Sequence, residues 1–204
     1  MAQQMQVTKG QTKKLPTNTG QVFTAGLGWD PAQGQSDVDL DLWILRKWSN
    51  GTVEAAYWGN TGWQRPDLGS NSEGNPWIVS PEGDITHKGD DRTGKTAATG
   101  YDEIAVLDLS KAPSDVVQYA VFTTYYDEKT PSDTLGMATN IVCGVKEENT
   151  GNELVAKVED DHGFDVTLLV CTIDRAGTGW SMTNKDEGFT DKMVDVARKA
   201  GVKF

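Results

Sequence analysis

The chain predicts an all-β fold: a single-domain β-sandwich closed by an amphipathic C-terminal helix. Three observations carry this. Apolar, β-branched runs broken by Gly, Asn, Asp and Pro recur through most of the 204 residues. Two of the breaks are hairpin signals, and only one segment has a helical period. Short strands with closely spaced turns suit a sandwich, and this length suits one hydrophobic core.

Strands are predicted near 21–29, 38–48, 52–58, 104–109, 116–126, 138–147, 153–159 and 164–174. Asn50-Gly51 between Trp48 and Val53 predicts a tight hairpin, and Asn149-Thr150-Gly151-Asn152 predicts a second. Pro113-Ser114-Asp115 predicts a turn. A helix is predicted over about 186–200, because Phe189, Met193, Val196, Ala197 and Ala200 recur at three- and four-residue spacing before Gly201. That stripe is expected to pack on the sandwich. Residues 59–83, rich in Gly, Asn, Ser and Pro, are too long for a hairpin loop and read as an insertion dispensable for the fold. Trp58, Trp63 and Trp77 bracket it. They are expected to fold back over the sandwich edge, with a carbohydrate or protein contact as the alternative.

Charge narrows the partners. Nineteen Lys and Arg against 30 Asp and Glu leave a net charge of −11, which argues against nucleic acid and repels anionic membranes unless divalent cations intervene. The N-terminus lacks the apolar stretch of a signal peptide and no segment reaches transmembrane length, so a cytoplasmic location is expected. Cys143 and Cys171 each sit in an apolar run and read as free, buried thiols.

The most informative local feature is Asp37-Val38-Asp39-Leu40-Asp41. On a strand, the three carboxylates share one face while Val38, Leu40 and Leu42 take the other. Like charges about 7 Å apart repel by about 2.4 kcal/mol at an effective dielectric near 20. A bound cation reverses that sign, and hard oxygen ligands suit calcium better than magnesium. A solvated strand face is the alternative. An EF-hand does not account for the run, because its sixth position would be Leu42 and its twelfth Trp48, where Gly and Glu are needed.

Gly89-Asp90-Asp91-Arg92-Thr93-Gly94-Lys95-Thr96 matches the phosphate-loop pattern, and Ile104-Ala105-Val106-Leu107-Asp108 imitates the strand that follows in such enzymes. The match is rejected. Gly100 stops any helix within a few residues, Asp90 and Asp91 would face the phosphates, and no strand–helix alternation builds a parallel sheet. The loop serves better as the second half of a cation site, with Asp102 and Glu103 following it. A polar surface turn, with Arg92 paired to a neighbouring acid, is the alternative.

With these motifs in order, the chain resembles the TerD family, the tellurium-resistance and stress-response proteins of bacteria and some phages. The matching text is Gly26-Leu27-Gly28-Trp29-Asp30, the Asp37–Asp41 run, Thr86 to Gly94, and Asp102-Glu103. Ala112 to Asp115, Tyr125-Tyr126-Asp127 and Leu135-Gly136 continue it, so the resemblance spans roughly residues 20 to 183. It implies a β-sandwich binding calcium through Asp37, Asp39, Asp41, Asp90, Asp91, Asp102 and Glu103, with Asp30 a further candidate. The chain departs from the family between Lys95 and Tyr101, where carboxylates of the usual loop are missing, and in the length of 59–83.

His87 is expected to be a satisfied surface histidine or a group behind the metal ligands, and neither it nor His162 sits in a recognisable nucleophile triad. Magnesium-assisted phosphoester cleavage is the minority reading, since nothing supplies basic substrate-binding residues. The resulting expectation is a non-enzymatic, calcium-binding TerD-like protein linked to tellurite resistance or general stress response. Its other partners would be related stress-response proteins or an assembly. The alternative is a structural or assembly-associated interaction protein, virion-associated if it belongs to a phage particle.

Overall fold

The computed structural model describes residues 2–16, 21–35, 38–71, 74–89, 100–126 and 133–204. Its strands begin with β1 (Gln4–Val7), β2 (Thr12–Lys14), β3 (Val22–Pro31), β4 (Leu40–Trp48), β5 (Val53–Ala56) and β6 (Ile78–Val79). They continue with β7 (Ile85–His87), β8 (Glu103–Asp108), β9 (Val116–Tyr125) and β10 (Ala138–Glu147). The last are β11 (Glu153–Lys157), β12 (Thr167–Ala176) and β13 (Gly179–Phe189), followed by helix α1 (Met193–Ala200). One sheet runs β1-β11-β10-β3-β8-β7-β6 and the other β2-β13-β12-β9-β4-β5. Their inner faces share a core that includes Phe23, Leu27, Leu40, Leu42, Ile44, Leu107, Val121 and Leu168.

All eight expected strands form. Val38, Leu40, Leu42 and Ile44 are fully buried between the sheets, as the parity of the acidic run requires. On the opposite face of the second sheet, Trp43, Leu45 and Phe122 pack beneath Met193, Val196 and Ala197 of α1. The helix ends where expected: Gly201 takes φ 106, its N–H bonds the Arg198 carbonyl, and the Val202 N–H bonds that of Ala197. Gly51 and Gly151 turn the two expected hairpins at φ 87 and 72.

Three expectations change. The helix does not start near 186, because residues 186–189 extend β13 alongside β12 as far as the Thr167–Phe189 pair. The inward positions of β13 run Trp180, Met182, Asn184, Asp186, so its apolar alternation stops halfway. Asn184 donates instead to the carbonyls of Val7 and Lys157, and Asp186 accepts from the N–H groups of Glu159 and Asp160. Second, β6 shows that 59–83 is not a simple insertion. Ile78 and Val79 pair with β7, Trp63 packs on the core, and Lys88 lies 3.4 Å over the Trp77 ring. Third, His87 is fully buried, not on the surface.

One end of the sandwich is closed by Arg46 of β4, whose side chain has no exposed surface. It bonds Glu54, Glu82 and Asp84, each at 2.6 Å, and lies 4.9 and 5.4 Å from the ring centres of Trp48 and Trp63. Burial opposes its charge, but Asp84, Glu54 and Glu82 outweigh burial and raise its pKa. Tyr119 and Ser80 also donate to Asp84, which completes the network.

Candidate metal centre

The candidate carboxylates gather at the other end of β4, where the two sheets are stitched by side chains. The β4–β5 ladder covers only Ile44 to Lys47, so the earlier part of that edge meets residues of the first sheet. The Leu42 N–H donates to Glu103 Oε2 at 2.7 Å, and the Leu42 carbonyl accepts from His87 Nε2 at 3.0 Å. His87 Nδ1 in turn accepts from the Gly89 N–H. Both ring nitrogens are thereby engaged, which makes His87 a neutral Nε2–H tautomer and a support, not a ligand. Glu103 is 1% exposed, so its carboxylate is held by this edge.

Asp102 is placed by a different device. Its N–H donates to the Leu27 carbonyl and its Oδ2 accepts from the Trp29 N–H at 3.0 Å. Trp29 Nε1 then donates to the Val38 carbonyl at 2.8 Å, which ties the residue before Asp39 to the same group. Tyr101 anchors this turn by lying flat on the outer face of the first sheet. A Cβ at Gly26 would come within 2.3 Å of its ring and one at Gly144 within 1.8 Å of its hydroxyl oxygen, so glycine is required at both. The Tyr101 hydroxyl donates to Glu153 at 2.5 Å. Burial and that carboxylate push its pKa well up.

The fold therefore brings Asp39 and Asp41, both half-buried, beside Asp102 and Glu103. Asp30 is different: it is exposed and accepts from Asn140 at 2.8 Å, on the bulged start of β10. Asp37, Asp90 and Asp91 lie outside the described residues, as does nearly all of the phosphate-loop match. Among the described residues no group of three or more His, Cys, Asp or Glu is arranged to hold a metal. The side chains that these contacts draw toward one another are carboxylates, the type of oxygen ligand that hard cations take.

The strand beyond the phosphate-loop match, β8, pairs antiparallel with both β3 and β7. That is not the parallel setting a nucleotide site needs, and Asp108 is occupied in a turn with Lys111 and Ser110.

Two polar clusters escaped the sequence reading. Arg46 had a signal, because it falls on the inward parity of Leu40, Leu42 and Ile44. His162 had none: its nitrogens meet Asp165 at 2.8 Å and Asp186 at 2.9 Å, and Asp186 lies 24 residues away on β13. Among the described residues no helix is long and apolar enough to cross a membrane.

A sandwich with its acidic strand end clasped from the opposite sheet defines a class, and comparison with known proteins supplies the family. The chain belongs to the TerD domain family, whose profile matches residues 1–199. An uncharacterized Bacillus subtilis protein, YceE, is 27% identical over 97% of this chain and 98% of its own length. Stress response protein SCP2 of the same organism is 25% identical, over 83% of this chain and 84% of its own. The tellurium resistance protein TerD of Serratia marcescens is also 25% identical, over 87% and 85%. A crystal structure of a Streptomyces coelicolor homologue of telluride resistance protein superposes with a TM-score of 0.66 at 18% identity. It covers 90% of this chain and 99% of its own, and shares the fold.

Proposed function

We propose that this TerD-domain chain is a non-enzymatic calcium-binding module of a tellurite-resistance or general stress response. The observation that carries the reading is the convergence of two acidic segments far apart in sequence. The Glu103–Leu42 bond and the Asp102–Trp29–Val38 relay bring 102–103 against 39–41. Asp39, Asp41, Asp102 and Glu103 would supply part of the ligand shell, and calcium binding as proposed requires Asp37, Asp90 and Asp91 to complete it. Calcium supplies the positive charge that this concentration of carboxylates lacks, and it would draw the strand end to the 100–103 turn. The printed names of the relatives support a stress or tellurium role.

Calorimetric titration with calcium, after chelator treatment, tests the proposal. Saturable binding is expected, weaker for magnesium. At about a hundredfold excess over Kd the folded state should gain about 2.7 kcal/mol. No binding heat together with an unfolding midpoint identical in calcium and in chelator would refute it.

A further inference from the structure

Residues 3–15 run as a strap along one side of the sandwich. Strand β1 adds to the edge of the first sheet at β11, and β2 adds to the edge of the second at β13. Between them the chain crosses from one sheet to the other over residues 8–11. The strap brings little apolar surface with it, since only Val7 and Leu15 among its residues are buried. Burying two such side chains stabilises by about 1.5–3 kcal/mol each, so the crossing depends on its polar contacts.

Those contacts gather on one node. Asn184 of β13 donates to the Val7 carbonyl, its carbonyl accepts from the Gly10 N–H, and its N–H bonds the Gln11 carbonyl. The Lys9 N–H donates to Glu159, and its ammonium bonds Asp160 and the Asp186 carbonyl. Asp186 holds the other side of the node from a left-handed φ of 49. Its Oδ2 accepts from the Glu159 and Asp160 N–H groups, and its Oδ1 lies 2.9 Å from His162 Nε2. His162 Nδ1 lies 2.8 Å from Asp165 Oδ2. A neutral imidazole carries one N–H and can donate to only one of these carboxylates, whereas the imidazolium donates to both. The charges that face the ring are Asp165 from its own loop and Asp186 from β13. Around them, Lys9 of the strap bonds the Asp186 carbonyl, Lys157 of β11 pairs with Glu159, and Asp161 accepts from the Gly163 N–H. The neighbouring 134–136 turn meets the loop through the Thr134 hydroxyl, which donates to the Gly163 carbonyl.

We propose that His162 is a pH-operated latch for this strap. Protonated, it fastens the 159–165 loop to β13 and so holds Lys9 and the crossing in place. Neutral, it releases them and uncovers the edges of β11 and β13. Loss of the proton leaves one carboxylate facing a ring lone pair, and removes the cation between Asp165 and Asp186. Burial opposes the charge on His162, but hydrogen bonds to Asp165 and Asp186 outweigh it and raise its pKa. The latched strap therefore keeps a proton that the open strap gives up above about pH 6.5. Each pH unit in that window favours opening by up to about tenfold. His87 does not compete, because both of its ring nitrogens are engaged at the other cluster.

The test is amide hydrogen exchange of the full chain, normalised to intrinsic rates, from about pH 6 to about pH 9. The probes are the strap amides, among them Gly10 and Leu15, which bond the Asn184 and Trp180 carbonyls. Their protection should fall by up to about tenfold per pH unit above about pH 6.5. It should level off where the His162 imidazole titrates in the folded chain by NMR. Amides of β4 and β9 should stay better protected than the strap throughout. In His162→Gln the strap should be poorly protected at every pH. In Asp165→Asn, which removes one of the two facing charges, the levelling-off should move to lower pH. The profile of the unsubstituted chain needs neither variant, so it decides if they fold poorly. Strap protection that is flat across the range overturns the proposal. So does a fall that His162→Gln leaves unchanged, or strap amides as protected as those of β4 and β9.

Discussion

At the Arg46 end of the sandwich, Glu54, Glu82 and Asp84 converge on one buried guanidinium. At the Asp102 end, Asp102 and Glu103 are fastened to the backbone N–H groups of Trp29 and Leu42. Strand β4 runs between the two ends, and at each a residue of the first sheet reaches across to it. The difference lies in what meets the acids. The guanidinium cancels one of the three charges and bonds all three acids, and the fold carries that cation with it. An amide dipole orients a carboxylate and lowers its energy without cancelling its charge. Acids held by amides remain suited to a cation from solution, and that is why the metal reading belongs to one end of β4 and not to the other.

Replacing Arg46 should have the largest effect. Arg46→Met strands the fully buried Asp84 beside Tyr119, and breaking a buried pair in this way costs about 3–5 kcal/mol. Urea unfolding should show the same loss in calcium and in chelator. A loss below about 1 kcal/mol would remove the distinction between the two ends.

Glu103→Ala comes next. It leaves the buried Leu42 N–H without its carboxylate, a loss of about 1–3 kcal/mol in chelator. In calcium the loss should be larger, because a corner of the metal centre goes with it. Equal losses in the two buffers would make Glu103 a purely structural clasp.

His162 is a third case, an in-chain cation that can be titrated away. Burial opposes its charge, but hydrogen bonds to Asp165 and Asp186 outweigh it and raise its pKa. Its contribution is full below the unfolded value of about 6.5 and is lost as pH rises through the raised folded value. Unfolding midpoints from about pH 6 to about pH 9 should fall in the unsubstituted chain and flatten in His162→Gln. A profile unchanged by the substitution would show that Asp165 and Asp186 are satisfied without the imidazolium.

Glu82→Gln should have the smallest effect. Its side chain is 34% exposed at the rim of the Arg46 cluster, so the loss should stay at or below about 1 kcal/mol. A larger loss would mean that Glu82 is as integral to the cluster as Asp84.

The sequence made some of this legible and hid the rest for definable reasons. Strand β4 was readable because its period-two pattern is unbroken from Val38 to Ile44, and the same parity assigns Arg46 to the interior. A guanidinium there was overlooked because its three acids are spread over β5 and the turn before β7. The second half of β13 was unreadable as a strand, since Asn184 and Asp186 bind loop backbone where apolar residues would normally sit. The 59–83 segment looked dispensable because β6 is two residues long and takes its meaning from pairing with β7. At the candidate metal centre, Asp39, Asp41, Asp102 and Glu103 were singled out as candidates by the acidic pattern and the family resemblance. The devices that place them were not legible. Tyr101 lying on Gly26 and Gly144, and Trp29 reaching Val38, are contacts between distant segments that no local spacing encodes.

The central claim is that the Asp39 end of β4 takes calcium and the Arg46 end does not. The most direct measurement compares the calcium-dependent gain in unfolding free energy for Asp39→Asn and Glu82→Gln, each with and without chelator. Each substitution removes one negative charge and keeps nearly the same shape, so a change in net charge alone affects both alike. The calcium-dependent gain should shrink or vanish in Asp39→Asn and persist in Glu82→Gln. An equal gain in both variants would contradict the claim and leave the Asp39 face a solvated strand surface.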